Sequence, residues 1–138
     1  ERLNRDLLLT AAICHDMGKI KELSAFPQND YTDEGQLLGH SMIGAAKVQE
    51  RINTIEGFPE VRARELIHCI LAHHGELEFG SPKKPAIAEA VALSFADNID
   101  AKMETMKEAL GNVAEGDLKW QGFNRLFDSN IRKTSTED

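Results

Sequence analysis

The sequence predicts an all-α domain, a bundle of four or five helices joined by short connections. Apolar residues recur at three- and four-residue spacing in four segments, and glycine or proline stands at their ends. The 138 residues are 41% hydrophobic and 28% charged, close to average usage in globular proteins. This composition suits one domain with its own core and argues against a disordered, fibrous or membrane-spanning chain.

The first helix is predicted over residues 5–17, where good helix formers separate the apolar positions, and Gly18 is expected to end it. Residues 19–36 then lose the helical period and contain several turn formers. A short β-hairpin is predicted within this stretch, at about residues 20–33.

Three further helices are predicted. The second covers residues 38–56 and carries one regular apolar stripe, with His40 turned away from it. The third covers residues 59–74, and the fourth and longest covers residues 85–110. Glycine follows each of the three and supplies the stop signal.

The end of the fourth helix sets the predicted domain boundary. Residues 1–110 are expected to form one domain, and residues 111–138 a C-terminal extension that is partly packed. Its apolar residues, led by Trp120, are candidate anchors, and the polar residues 134–138 are predicted to be a disordered tail.

Charge and cysteine usage limit the functional classes. Sixteen basic residues stand against 23 acidic ones, for a net charge of −7. This balance excludes a broad basic footprint for nucleic acid or acidic lipid, although a narrow cationic site remains open. Cys14 and Cys69 lie in apolar helical runs without a CxxC partner, so we expect a reduced, cytoplasmic protein.

Most of the histidines stand at predicted helix ends, beside glycine or an acidic residue. An aspartate lies inside the fourth helix, whose apolar residues predict burial on much of the helix circumference. A carboxylate there needs a partner, and a metal, an arginine or a histidine would serve. Imidazole nitrogens and carboxylate oxygens together suit Mn, Fe, Co, Ni or Zn better than Ca or Mg. The candidate ligands are His15, Asp16, His40, His73, His74 and Asp97.

Each candidate also has a purely structural interpretation. His15 and Asp16 can form a local hydrogen-bonded pair, and His73 and His74 can meet terminal carbonyls of their helix. His68 has no acidic or histidine neighbour in sequence and is left out of the predicted site.

The segment His15-Asp16-Met17-Gly18-Lys19 closes the first helix, and it resembles the signature of the HD superfamily of metal-dependent phosphohydrolases. Further segments fit that family in order: residues 39–44 around His40, then His73-His74-Gly75, then Ala96-Asp97. Residues 31–40, 74–82 and 97–102 are most similar to the HD domain of bacterial exoribonucleases that place an OB-fold ahead of it.

The resemblance implies an HD helical bundle with one or two divalent ions, for which we favour Mn over Fe, Co, Ni or Zn. His15, Asp16 and Asp97 would hold one ion, and His40, His73 and His74 a second, with Asp16 bridging and a metal-bound hydroxide as nucleophile. Asp16 and Lys19 would be the catalytic pair, with Lys19 on a phosphate oxygen. The expected outer roles are further phosphate contacts by Lys83, Lys84 and Lys102, and orientation of a ligand histidine by Asp100.

The implied activity is hydrolysis of single-stranded RNA from its 3′ end. The alternatives left open are a nucleotidase acting on mononucleotides and a non-catalytic HD binding module. The implied partners are RNA or a nucleotide and an OB-fold in the parent chain, with no membrane, while a homo-oligomer stays open. No histidine precedes His15, although related HD proteins carry a metal ligand there, so we expect a fragment or a natural loss of one ligand.

Overall fold

Five α-helices account for most of the regular backbone in the computed structural model, which describes residues 3–135. This confirms the all-α prediction. A 3-10 turn at Leu77–Phe79 precedes the last helix, and two short strands follow it. The elements are α1 Arg5–Cys14, α2 Lys19–Glu22, α3 Asp33–Ile52, α4 Glu60–Ala72, α5 Ala88–Leu110, β1 Phe123–Asn124 and β2 Ser129–Asn130.

The chain forms two compact units, Glu1–Asp97 and Asn98–Asp138. The division lies within α5, which starts in the first unit and ends in the second. The sequence placed its boundary at the end of that helix, between residues 110 and 111, and that division stays a prediction.

In the first unit, α3 packs against both α2 and α4, and α1 packs against α4. Small and branched apolar side chains from these helices fill one core, since each helix buries a single face. The core residues are Leu7, Ala11, Ala45, Val48, Ile52, Ala63, Leu66, Cys69, Ile70, Ala72, Ala90 and Leu93.

Helix α3 is kinked at Gly39, whose φ of 71° and ψ of 155° are not helical. The helix also begins earlier than predicted, because the Thr32 hydroxyl accepts the Gly35 N–H and caps its first turn. Of the predicted apolar stripe, Ala45, Val48 and Ile52 are buried, whereas Leu38, Met42 and Ile55 are about half exposed. The middle of the stripe thus packs in the core, and its two ends are left uncovered.

The predicted β-hairpin is largely wrong. Residues 19–22 form α2, and within the predicted range a single antiparallel bridge joins Leu23 to Tyr31. Helix α2 forms because its backbone can approach α3 closely at two glycines, Gly18 and Gly35. Such a tertiary contact is invisible to local turn propensity.

The second unit holds the two-stranded antiparallel pair, in which Phe123 faces Asn130. Among the described residues of this unit, Ile131 is a buried apolar side chain. The expected anchor Trp120 is instead 66% exposed, and the Arg132 guanidinium lies over its ring. Of the predicted disordered tail, Thr134 and Ser135 have no regular structure, and residues 136–138 lie outside the described residues.

Within residues 3–135, no helix combines the length and the apolar character needed to cross a membrane. Both cysteines are free thiols, with Cys69 fully buried and Cys14 half-buried. Burial raises the pKa of Cys69 to about 11, so this thiol stays protonated and packs as a small apolar side chain.

Candidate metal centre

Six side chains from four helix regions converge in the first unit. They form two groups whose ligand atoms lie within 4.8 Å of one another in each group. We call them the three-histidine group, which is His40, His73 and His74, and the mixed group, which is His15, Asp16 and Asp97. They are the six residues that the sequence singled out as candidate ligands.

The C-terminal end of α1 presents two members of the mixed group. His15 is the C-cap residue, and its Nδ1–H donates to the Ala12 carbonyl at 2.8 Å. Because a carbonyl oxygen only accepts, Nε2 of the neutral ring carries a lone pair. That nitrogen lies 3.5 Å from Asp16 Oδ2 and 3.5 Å from Asp97 Oδ1.

The end of α4 presents two members of the three-histidine group. His73 is 1% exposed, and its Nδ1–H donates to the Ile70 carbonyl at 2.6 Å. The Nε2 atom of the neutral ring therefore again carries a lone pair. His74 follows directly, and Gly75 with φ of 79° turns the chain away, as is typical after a helix.

His40 completes the three-histidine group from the first residue after the α3 kink. Its Nδ1 lies 3.0 Å from Glu22 Oε1. Its Nε2 lies 3.4 Å from His73 Nε2 and 3.2 Å from His74 Nε2. When both rings are neutral and carry their hydrogen on Nδ1, no hydrogen lies between the Nε2 atoms of His40 and His73. A cation between them would satisfy both lone pairs.

Asp16 belongs to the mixed group and also lies close to the three-histidine group. Its Oδ1 is 3.6 Å from His40 Nε2 and 3.8 Å from His73 Nε2, while its Oδ2 accepts a 2.6 Å hydrogen bond from Lys19. Among the described residues, Asp16 Oδ1 and His74 Nδ1 are the buried side-chain atoms with no hydrogen-bond partner. A buried carboxylate oxygen without a donor is costly unless it meets a cation.

The protonation states suit metal binding. Burial lowers the pKa of His73 to about 4, and the neighbouring His74 and His15 act in the same direction. Burial likewise lowers the pKa of His74. Burial acts to raise the pKa of Asp16, but Lys19 brings it below its usual value. Neutral imidazoles and an ionised carboxylate are the forms that bind divalent metals, so the residues present fit a transition-metal ion.

Asp97 is less enclosed than its sequence neighbours indicated. Val91 and Phe95, expected to be buried around it, are 41% and 65% exposed. Helix α5 buries Ala90 and Leu93 in the first unit, so it presents one face to that core rather than most of its circumference. Asp97 nevertheless has a histidine beside it, which is one of the partners the sequence allowed, because His15 Nε2 lies 3.5 Å from its Oδ1.

The residues given outer roles belong to the loop after α4 and to the second unit, and their contacts with phosphate stay predictions. Lys84 pairs with Glu76 in the exposed loop after α4, and the backbone of Lys83 is held by the buried Ser81 hydroxyl. Asp100 and Lys102 are exposed and belong to the second unit. The Nδ1 atoms of His15, His40 and His73 lie on the Ala12 carbonyl, Glu22 and the Ile70 carbonyl. An orienting role for Asp100 stays a prediction.

His68 lies apart from both ligand groups, as expected. Its Nε2 accepts the Ala86 N–H at 2.9 Å and so fixes the chain that leads into α5. No residue next to His68 in sequence indicates this structural role.

A comparison with protein-family models matches residues 1–102 to the HD domain. The chain belongs to the HD-domain family. The matched residues include both ligand groups. No solved structure matches the chain.

Curated relatives include 3′–5′ exoribonucleases named YhaM. The chain is 42% identical to that of Bacillus subtilis over 131 residues, which is 91% of this chain and 40% of the relative. It is 46% identical to that of Halalkalibacterium halodurans over 116 residues, which is 84% of this chain and 36% of the relative. The chain therefore spans 40% or less of the length of these relatives.

Proposed function

We propose that this chain is a metal-dependent phosphohydrolase domain that cleaves phosphodiesters at the 3′ end of single-stranded RNA. The observation that carries the proposal is the place of Asp16, whose two oxygens face the two different ligand groups. The RNA specificity is supported by the relatives, which are 3′–5′ exoribonucleases by name.

The three-histidine group would hold one divalent ion and the mixed group another, with Asp16 shared between them. Such ions lower the pKa of bound water and neutralise charge that develops on a phosphoryl group. The chain's own part is to orient the ligands. Three of the four histidines have Nδ1 fixed by an acceptor, which keeps Nε2 directed at the site. Mn²⁺ as the preferred ion, an OB-fold in the parent chain and a cytoplasmic location stay predictions.

Hydrolysis assays with Mn²⁺ separate this proposal from its alternatives. We expect stepwise shortening of a 5′-labelled single-stranded RNA with release of 5′-mononucleotides. Release of inorganic phosphate from a mononucleotide, with the RNA left intact, would instead identify a nucleotidase. A protein that takes up Mn²⁺ but hydrolyses neither substrate would be a binding module, and the catalytic proposal would be wrong.

Lys19 is proposed to contact a phosphate oxygen of the substrate. Its ammonium is half exposed and lies on Asp16, so it is a cation already at the candidate site. Lys19→Gln is expected to lower kcat/KM by about 10- to 100-fold, which corresponds to one charge-assisted hydrogen bond of about 1.5–3 kcal/mol. Metal affinity should not fall, because Lys19 competes with a metal for the Asp16 carboxylate.

The matched control for Lys19 is Lys21→Gln, an exposed lysine on the same short helix. Steady-state kinetics and a Mn²⁺ titration of both variants provide the measurement. Equal losses of kcat/KM in the two variants would indicate a general charge effect and would contradict the specific role of Lys19.

A further inference from the structure

Glu22 is a buried carboxylate outside the six candidate ligands. It ends α2 and is 6% exposed, which is rare for an acidic residue without a partner. Its Oε1 accepts two hydrogen bonds from one residue, from the backbone N–H of His40 at 2.9 Å and from the His40 ring Nδ1–H at 3.0 Å.

The α3 kink creates the first of these bonds. Because Gly39 leaves the helical conformation, His40 begins a new helical segment whose first N–H groups lack intrahelical acceptors. The Glu22 carboxylate takes one of them. Its negative charge at the start of that segment is also favoured by the helix dipole.

The backbone that carries Glu22 is held firmly against α3. The Thr32 N–H donates to the Glu22 carbonyl at 2.9 Å, and the Thr32 hydroxyl reaches the Lys21 carbonyl at 2.7 Å. A Cβ on Gly35 would lie 2.3 Å from the Glu22 carbonyl oxygen, so only glycine permits this approach. The carboxylate is thus placed by packing and not by a mobile side chain.

We propose that Glu22 is the positioning residue of the three-histidine group: it holds the His40 ring with its hydrogen on Nδ1 and its Nε2 lone pair directed at the metal. An ionised carboxylate only accepts, so it selects this tautomer and fixes the ring plane through the second bond from the same residue. This assignment rests on the proposed function, because a directed His40 Nε2 matters only if the three-histidine group binds a metal. The tautomer it predicts is a property of the metal-free protein.

Four variants test the assignment. Glu22→Ala removes the acceptor, and Glu22→Asp keeps a buried carboxylate but withdraws it from His40 by one methylene. Glu22→Gln retains an acceptor oxygen on a side chain of the same length, so it can still accept from His40. Glu34→Ala is the control, because it removes an exposed glutamate from the start of α3.

Two measurements apply to each folded variant. Long-range ¹H–¹⁵N correlation spectra of the metal-free protein report the His40 tautomer, with its signals assigned from a His40→Ala variant. A Co²⁺ titration followed by visible absorption and calorimetry reports metal affinity. For Glu22→Ala and Glu22→Asp we expect loss of the pure Nδ1–H tautomer and a metal affinity about 10- to 100-fold lower. Glu22→Gln should stay within about threefold of the unmodified protein on the same scale, and Glu34→Ala should match it.

The results distinguish failure of this assignment from failure of the metal centre. Unchanged tautomer and affinity in Glu22→Asp and Glu22→Ala would overturn the role of Glu22 while leaving the metal centre intact. If the unmodified protein bound no Co²⁺, the metal centre would be wrong. In that case an unchanged His40 tautomer in Glu22→Asp would independently overturn the positioning role.

Discussion

Replacing Asp16 by asparagine is expected to abolish phosphodiester hydrolysis and to reduce the metal content of the purified protein. Asp16 is the side chain that faces both ligand groups, so the change weakens the binding of both ions rather than one. Loss of a hydrogen bond that supports a metal ligand typically lowers metal affinity or activity by about 10- to 100-fold. Loss of a ligand shared by both ions should lower metal affinity and activity by more than that.

The measurement for Asp16→Asn combines RNA hydrolysis under Mn²⁺ with elemental analysis after dialysis. His68→Ala provides the control, since it removes a histidine outside both groups that accepts a backbone N–H. It should lower the free energy of unfolding by about 1 kcal/mol and leave metal content and turnover unchanged. If Asp16→Asn and His68→Ala gave the same metal content and the same activity, the ligand assignment would be wrong.

A second large effect is expected from Gly18→Ala, which should lower the free energy of unfolding by about 3 kcal/mol or more. A Cβ at Gly18 would lie 2.0 Å from the His40 carbonyl oxygen and 2.8 Å from the Gly44 nitrogen. Both are backbone atoms of α3, so the clash cannot be relieved by a rotamer change, and overpacking of this kind costs about 1–3 kcal/mol even where side chains can adjust. Urea denaturation monitored by circular dichroism measures the effect.

Gly44→Ala is the matched control for Gly18→Ala, because it lies on the opposite side of the same contact. Its Cβ would meet Gly18 at 3.4 Å or more, which is ordinary van der Waals contact, and Gly44 lies inside α3. Alanine there gains up to about 1 kcal/mol of helix propensity. A Gly18→Ala protein as stable as Gly44→Ala would show that α2 does not pack against α3 as described.

The candidate ligands were accessible to sequence analysis because their signals are local. Histidine and aspartate at helix ends beside glycine stand out in the printed chain, and His15-Asp16 with Gly18 and Lys19 carries a family pattern. Helical periodicity also predicted where these ends lie, to within a few residues. The convergence of five of these side chains then follows from the packing of α1, α3 and α4. The sixth, Asp97, comes from α5.

Glu22 was not accessible, because its role depends on contacts between distant segments. In sequence it lies in a stretch that reads as a hairpin, next to Leu23 and turn formers. Its contact with His40 requires the close approach of α2 to α3 at Gly18 and Gly35, together with the kink at Gly39. None of these leaves a periodic pattern, although Gly18, two residues after Asp16, is a signal for close backbone packing.

The exposure of apolar residues on α5 could not be predicted for the same reason. Val91 and Phe95 repeat at a spacing that is typical of a buried face, yet both are substantially exposed. Periodicity states which residues share a face, and only the arrangement of neighbouring elements determines whether that face is covered.

The most direct measurement is anomalous X-ray scattering near the manganese absorption edge from crystals grown with Mn²⁺. The proposed metal centre predicts anomalous peaks among the six ligand side chains, with the Asp16 carboxylate in contact with the ion of the three-histidine group and with that of the mixed group. Crystals at saturating Mn²⁺ that show no peak beside Asp16, or that show peaks only at surface carboxylates, would contradict it.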